Sequence, residues 1–490
     1  MSNGEAMAAV SYAVRGRVLL KYLGQLAALQ ALLTCAPLAA SLYFAEYHLS
    51  LRFLAVGLLL AGAGLPFARL PEPSRVLPSE ALAITALAFV ATPLLMTIAF
   101  TDIGISFGDA LFEAVSAITT TGLTTLASAE HLPRSFLFAR AWMQWYGGLG
   151  IVVLSVALLA GQGGVARRLI EPQTAGEGLA STVRAHARRA LVVYLALTAT
   201  GIAAVWLAGA RSAAGVEHVL AAVSTGGFSR FDASLAGFGS AAVTAVVMTL
   251  CACGAVALPL YYRAWQAGPA ALWRSAELRA LVVALALVVA LLTVLMAVGQ
   301  ELSWPQALRR AAVLGVSAQT TAGFSDSPVA ALGNASLLVL IVAMMIGGSI
   351  GSTAGGVKLL RVLVLLRLAR VAIRRLGAPS HAVMEPMLEG RRIEEPDQVR
   401  ALLLAALFAA VVLLSWFAFL AYGHAPMHSL FEVVSATATV GLSTGITSAQ
   451  LEPGLKLVLG LDMLLGRLEI LALLVVVYPG TWFGKRVEGL

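Results

Sequence analysis

The sequence predicts an all-α integral membrane protein of ten transmembrane helices. Two helices open the chain, and the other eight form four repeats in a pseudo-fourfold arrangement. Three observations lead there. Of 490 residues, 59% are hydrophobic and only 12% charged, against about 25% charged in soluble domains. Ten stretches reach the roughly 20 mostly apolar residues needed to cross hydrocarbon. A short motif, Thr-x-Gly followed by Leu or Phe, recurs four times between those stretches.

The ten spans fall near residues 18–44, 51–68, 80–100, 136–161, 190–209, 240–262, 278–298, 335–375, 400–422 and 454–482. The first is too long for a signal h-region of about 7–15 residues and reads as a retained span. The eighth is too long for one crossing: about 41 residues at 1.5 Å each reach about 60 Å. It must break, tilt or leave the membrane. After spans three, five, seven and nine come apolar segments of about 12 residues, too short to cross. A short helix that enters and returns is tolerated at membrane depth only where it lines a cavity or is buried in protein. The chain therefore divides into an N-terminal two-helix region (1–75) and four helix–pore-loop–helix repeats (76–165, 185–265, 275–376 and 397–490).

Charge sets the orientation. One side carries Arg15, Arg17 and Lys21, then Arg167, Arg168, Arg184, Arg188 and Arg189, then Arg263, Arg274 and Arg279. The same side holds nine more cations between Lys358 and Arg400, and Lys485 and Arg486. The other side has Arg134, Arg211, Arg230 and Lys456, with Arg309 and Arg310 close by. The positive-inside rule makes both termini cytoplasmic. The net charge of +8 is thus a topology signal and calls for no nucleic-acid partner. Cys35, Cys251 and Cys253 lie in apolar runs, and the Cys-x-Cys pair, with no further ligand nearby, reads as buried thiols. No nucleophile–base pair or metal set is visible, so no enzyme is expected, and no span carries the arginine-every-third-residue pattern of a voltage sensor.

Aligned on their glycines, the short segments read FEAVSAITTTGL (Phe112–Leu123), EHVLAAVSTGGF (Glu217–Phe228), VLGVSAQTTAGF (Val313–Phe324) and FEVVSATATVGL (Phe431–Leu442). Gly122, Gly227, Gly323 and Gly441 coincide, as do Thr120, Thr225, Thr321 and Thr439. Thr121, Gly226, Ala322 and Val440 lie between, and Leu123, Phe228, Phe324 and Leu442 follow. A cation in lipid must exchange its water for other oxygens, which rings of backbone carbonyls provide. Glycine permits the backbone this needs, threonine adds a hydroxyl and a stiff χ1, and the helix C-terminus adds partial negative charge. The plainer reading is four glycine-capped helix ends. Glu113 and Glu432 occupy matching positions in the first and fourth segments, where they brace the ring, raise negative potential or satisfy a backbone group.

Within the eighth span, Gly347, Gly348, Gly351, Gly355 and Gly356, with Ser352 and Thr353, cost several kcal/mol at about 1 kcal/mol per glycine. The stretch up to Lys358 should unwind, as a flexible gate beneath the third filter segment or, more plainly, as a packing face. Val357 stands where a nucleotide P-loop needs lysine. Its continuation to Arg375 is cationic and amphipathic, suited to a lipid surface or a cytosolic partner. Arg467 lies mid-span, where a charge faces a cavity or a partner. It either pairs with Glu469 or another helix, or stands in the vestibule below the filter and limits flux.

"QWYGGLGIVVLSVAL" (Gln144–Leu158), "STGGFS" (Ser224–Ser229), "IGGSIGSTAGGVKLLR" (Ile346–Arg361) and "MLLGRLEIL" (Met463–Leu471) resemble the Trk/Ktr/HKT superfamily of potassium transporters, its TrkH branch above all. The resemblance covers nearly the whole chain, including the two N-terminal spans. It implies potassium uptake at a bacterial inner membrane, usually by a homodimer with one pore per subunit. It implies a cytosolic regulatory subunit with Rossmann-type domains that bind NAD(H) or ATP, and no cofactor in this chain. It places K+ at Thr120, Thr121, Thr225, Gly226, Thr321, Ala322, Thr439 and Val440, gating at Gly347–Gly356, and a flux-limiting role at Arg467. Gly122, where serine accompanies sodium preference in plant relatives, argues for potassium.

Overall fold

The computed structural model describes residues 13–73, 76–160, 179–379 and 384–483, with side chains except at 154–186. Arg167, Arg168, Lys485 and Arg486, and the side chain of Arg184, lie outside the described residues. The described chain is mainly helical, and its strands among the described residues form one small hairpin, β1 (Met387–Leu388) with β2 (Arg391–Arg392).

Helices α1 (Gly16–Tyr43) and α2 (Tyr47–Ala68) form an antiparallel pair. A Cβ at Gly24 would collide with Ala68 N and Gly64 O, and one at Gly64 with Ala28 N and Gly24 O. Such close backbone approach is how helices associate where lipid removes the hydrophobic drive. Ahead of α1, Arg15 donates from Nε to Glu80 Oε1 at 2.8 Å. Val14 N–H donates to Thr481 O at 2.9 Å, so the described ends of the chain meet.

The rest runs α3 (Pro78–Phe100), α4 (Phe107–Ile118) and α5 (Arg134–Ala160); then α6 (Leu179–Leu207), α7 (Ala213–Val223), α8 (Ala241–Gly254), α9 (Leu258–Ala267) and α10 (Ala270–Arg274). These are followed by α11 (Ala276–Gly299), α12 (Trp304–Gln319), α13 (Asn334–Ile346) and α14 (Leu359–Leu376), then α15 (Glu395–Ala421), α16 (Pro426–Thr437), α17 (Pro453–Arg467) and α18 (Leu471–Val477). The order long helix, short helix, second helix holds in each repeat. The short helices α4, α7 and α16 have 11 or 12 residues, while α12 has 16 because it starts a turn earlier at Trp304-Pro305.

Ten spans were expected, the eighth of them broken, and the described residues contain six helices long and apolar enough to cross, in α1, α2, α3, α6, α11 and α15. The difference lies in the second helices. Only α5, with 27 residues, is unbroken; it is not among the six because its described side chains end at residue 153. Helices α8 and α9 meet at 88°, with Pro259 at the start of α9. Helix α13 stops at Gly347 (φ +70°), and α17 stops before Glu469 (φ +53°) and Ile470 (φ +61°). The expected unwinding of span eight is present; the breaks in spans six and ten were not foreseen.

Candidate functional site

Each short helix ends in the same way. The N–H groups of Thr120 and Thr121 donate to Ala117 O and Ser116 O, at 3.1 and 3.0 Å. Thr225 and Gly226, Thr321 and Ala322, and Thr439 and Val440 repeat the pattern on their own helices. This is a Schellman cap, whose left-handed residue is usually glycine. Here it is threonine, with φ between +52° and +55° at Thr120, Thr225, Thr321 and Thr439. The plain glycine-cap reading therefore fails. The repeated glycines come two residues beyond the cap, with φ of +91°, +75°, +75° and +95° in chain order.

Those glycines join the four strips to one another. A Cβ at Gly122 would collide with Gly226 O, at Gly227 with Ala322 O, at Gly323 with Val440 O, and at Gly441 with Thr121 O. The contacts run from strip one to two to three to four and back to one, so the ring closes within one chain. Leu123, Phe228, Phe324 and Leu442, which follow the ring glycines, are buried. All four helix C-termini abut the ring and bring their partial negative charge to it. Buried hydroxyls of Thr120 and Thr439 have no hydrogen-bond partner among the described residues.

Glu113 and Glu432 are braces. Glu113 Oε1 accepts from Thr124 Oγ1 (2.7 Å) and Thr125 N (2.8 Å). Glu432 Oε1 accepts from Ser443 Oγ (2.7 Å) and Thr444 N (2.6 Å). Arg140 balances Glu113 at 2.9 Å, while Glu432 is met by hydroxyls, Thr447 Oγ1 among them, and by the Thr444 N–H, with no ion pair among the described residues. The second repeat puts His218 at this position, with Nε2 2.9 Å from Ser229 Oγ. A hydroxyl eleven residues after the brace was a legible and overlooked signal: Thr124, Ser229 and Ser443, with Ser325 opposite Leu314 in the third repeat. A second overlooked signal is a glycine about 25 residues past each ring glycine. Cβ atoms at Gly147, Gly254 and Gly466 would collide with Ile118 O, Val223 O and Thr437 O, the last residues of their short helices.

The glycine-rich loop lies against the ring. Gly347, Gly348, Gly351, Ser352, Thr353 and Gly355 are buried, and Gly356 is half-buried. Gly355 N–H donates to Thr321 Oγ1 at 2.7 Å. Thr353 Oγ1 lies 3.3 Å from Thr225 Oγ1 and donates to Gly254 O (3.0 Å). A Cβ at Gly355 would strike Ala438 O and Thr439 Oγ1. The loop thus touches strips two, three and four, not the third alone, and is hydrogen-bonded in place. Arg467, 2% exposed, donates from Nη1 to Thr353 O at 2.7 Å. Glu469 does not pair with it; Glu469 instead holds Lys358 (3.3 Å) and Arg361 (2.5 Å), where the loop becomes α14. Arg467 Nε and Nη2 have no hydrogen-bond partner among the described residues.

Most cations on the opposite face are engaged away from the ring. Lys456 Nζ bonds Asp109 Oδ1 at 2.6 Å, and Arg230 Nε bonds Glu217 Oε2 at 2.9 Å. Arg309 and Arg310 are exposed. They act on Asp326, whose carboxyl is held above the usual carboxylate range by burial, against the Ser327 hydroxyl first and then the two arginines. Cys251 is buried, Cys253 half-buried and Cys35 exposed.

A family model described as "TrkH: Cation transport protein" matches residues 81–480. The Trk system potassium uptake protein TrkH of Vibrio parahaemolyticus is 32% identical over 393 residues, covering 77% of this chain and 80% of that protein. Its counterpart in Halomonas elongata is 32% identical over 405 residues, covering 80% and 82%. The crystal structure of the potassium transporter TrkH from Vibrio parahaemolyticus matches with a TM-score of 0.84 at 27% identity, covering 96% of this chain and all (100%) of that one.

Proposed function

Because the chain belongs to the TrkH family of cation transport proteins, we propose that it takes up potassium through the ring of Thr-x-Gly strips, as a gated pore driven by membrane potential. The cyclic contact of each ring glycine with the next strip's main chain carries this reading. It brings four equivalent sets of oxygens to one place, as replacement of a hydration shell requires. The relatives' names, potassium uptake proteins of Trk systems, support the choice of ion. In this reading the breaks are interruptions of ten spans, the short helices are pore helices, and Thr120, Thr121, Thr225, Gly226, Thr321, Ala322, Thr439 and Val440 contact K+. The loop at Gly347–Gly356 closes the path from below, and Arg467 limits flux through it.

Inward movement of one charge gains about 2.3 kcal/mol per 100 mV, so about −150 mV supplies ~3.5 kcal/mol. At 1.4 kcal/mol per decade that sustains accumulation of several hundredfold without chemical coupling. One observation favours the alternative, symport with H+ or Na+. Asp462 is buried in α17, with Oδ1 accepting from Ser415 Oγ at 2.8 Å and Oδ2 without a hydrogen-bond partner among the described residues.

The setting is a bacterial inner membrane with both termini cytoplasmic, supported by the distribution of Lys and Arg. A homodimer, and a cytosolic Rossmann-type regulatory subunit that binds NAD(H) or ATP, complete the proposal; the exposed basic residues Arg367, Arg370, Arg374 and Arg375 of α14 suit such contacts. The test is rubidium uptake by the purified chain in liposomes at a fixed potential, with sodium as competitor and pH and sodium gradients imposed in turn. Uptake that follows the potential alone supports the pore. Uptake that a proton or sodium gradient drives at zero potential supports symport, and no saturable rubidium uptake overturns both.

A further inference from the structure

Resting on the potassium reading, we infer that Gln144 of α5 is a positioning residue for strip two of the ring and sets how well it discriminates among alkali cations. Gln144 is fully buried. Its Nε2 donates to Gly226 O, and its Oε1 accepts from Phe228 N at 3.2 Å. One carboxamide thus spans Gly227 and holds the main chain on both sides of it. A carbonyl on one side and an N–H on the other fix which end of the amide is nitrogen. Helical spacing brings Arg140 onto the same face of α5 as Gln144, and its guanidinium sits 3.7 Å from the centroid of the Phe228 ring. That face of α5 is fitted to strip two.

Gly226 is the matching half of this contact. The residue between threonine and glycine is Thr121, Ala322 or Val440 in the other strips. A Cβ at Gly226 would collide with Cδ, Oε1 and Nε2 of Gln144. Strip two therefore exchanges a side chain of its own for one reaching in from α5. Gly226 O is also the oxygen that Gly122 packs against, the counterpart of Ala322 O, Val440 O and Thr121 O. Among the described residues it alone of these four receives a side-chain amide, so one quadrant is held by a donor that the others lack. A donor on a carbonyl draws on the lone pairs that would otherwise face a cation and fixes the oxygen's direction. A ring that must tell potassium from sodium by oxygen placement and field strength is sensitive to both.

The test separates this role from space filling. Gln144→Ala leaves a void and Gly226→Ala overfills one, so each alone is expected to lower melting temperature and discrimination. The double variant restores the packed volume and makes strip two resemble strip three. Its melting temperature is expected to recover, while its preference for rubidium over sodium stays about tenfold below wild type, the scale of one buried hydrogen bond. Gln144→Glu, assayed at alkaline pH where its carboxyl is ionised and has no proton to donate, keeps the acceptor for Phe228 N–H and turns a bare oxygen toward Gly226 O; it is expected to fold and to lose discrimination similarly. Wild-type discrimination in the double variant, or in Gln144→Glu, overturns the inference. Should the double variant fail to fold, Gln144→Glu decides. A wild-type chain that discriminates among no alkali cations overturns the potassium reading and this one together. A discriminating wild type with unaltered variants overturns this one only.

Discussion

Threonine resists the left-handed backbone because its branched Cβ crowds the carbonyl, yet it stands there at Thr120, Thr225, Thr321 and Thr439. Each costs about 1–2 kcal/mol, a strain that persists only where surrounding structure over-determines it. The Schellman bonds and the cyclic glycine contacts supply that restraint. Serine at Gly122 would add a left-handed penalty of the same size and a collision with Gly226 O, itself worth about 1–3 kcal/mol as overpacking. Gly122→Ser is therefore expected to relax potassium over sodium selection, read as the ion ratio in liposome flux; an unchanged ratio would remove Gly122 from the filter. Arg467 places a positive charge next to the loop with no carboxylate ion pair among the described residues. At about 8 Å and an effective dielectric near 20, such a charge opposes a passing cation by about 2 kcal/mol. Arg467→Ala should raise flux roughly thirtyfold at 1.4 kcal/mol per decade, and a silent substitution would reduce Arg467 to an anchor for Thr353.

The breaks in the second helices differ in how far local sequence dictates them. The interruption after α13 could be read from five glycines among ten residues. The bend between α8 and α9 had a weaker signal, Gly254 and Pro259. The break after α17 had none, because Glu469 and Ile470 take positive φ without being glycine. Tertiary contact imposes it: Glu469 is drawn to Lys358 and Arg361, partners more than a hundred residues away. For the same reason the motif glycines and threonines were legible, being repeated and local, while Gln144 was not, being single and 82 residues from Gly226. Removal of Gly351–Gly355 takes away the donor to Thr321 and the hydroxyl beside Thr225. Flux in reconstituted protein should rise, and unaltered flux in a correctly folded variant would leave the loop as packing alone.

At the level of the whole molecule, the four repeats share no more than a few residues each, and still their strips close on one another in cyclic order. Cyclic closure means that damage at any corner is felt at two neighbours. Alanine at Gly122, Gly227, Gly323 or Gly441 should accordingly lower melting temperature and ion selectivity by comparable amounts. A corner whose alanine variant behaves as wild type would lie outside the ring. The N-terminal pair α1–α2 stands apart from these strips, and its close glycine contacts make it a rigid flank.

Three of the four second helices are jointed near the level of the loop, while α5 runs through without a joint. The proposed passage, with one stiff wall and three hinged ones, would widen lopsidedly, away from the stiff wall. Its inner mouth would therefore be off-centre, unlike the round aperture of four identical subunits. Spin-label distances within the α4–α5 corner should hold steady between resting and conducting conditions while those from α8 to α17 lengthen; equal changes at both would mean that the aperture dilates evenly after all.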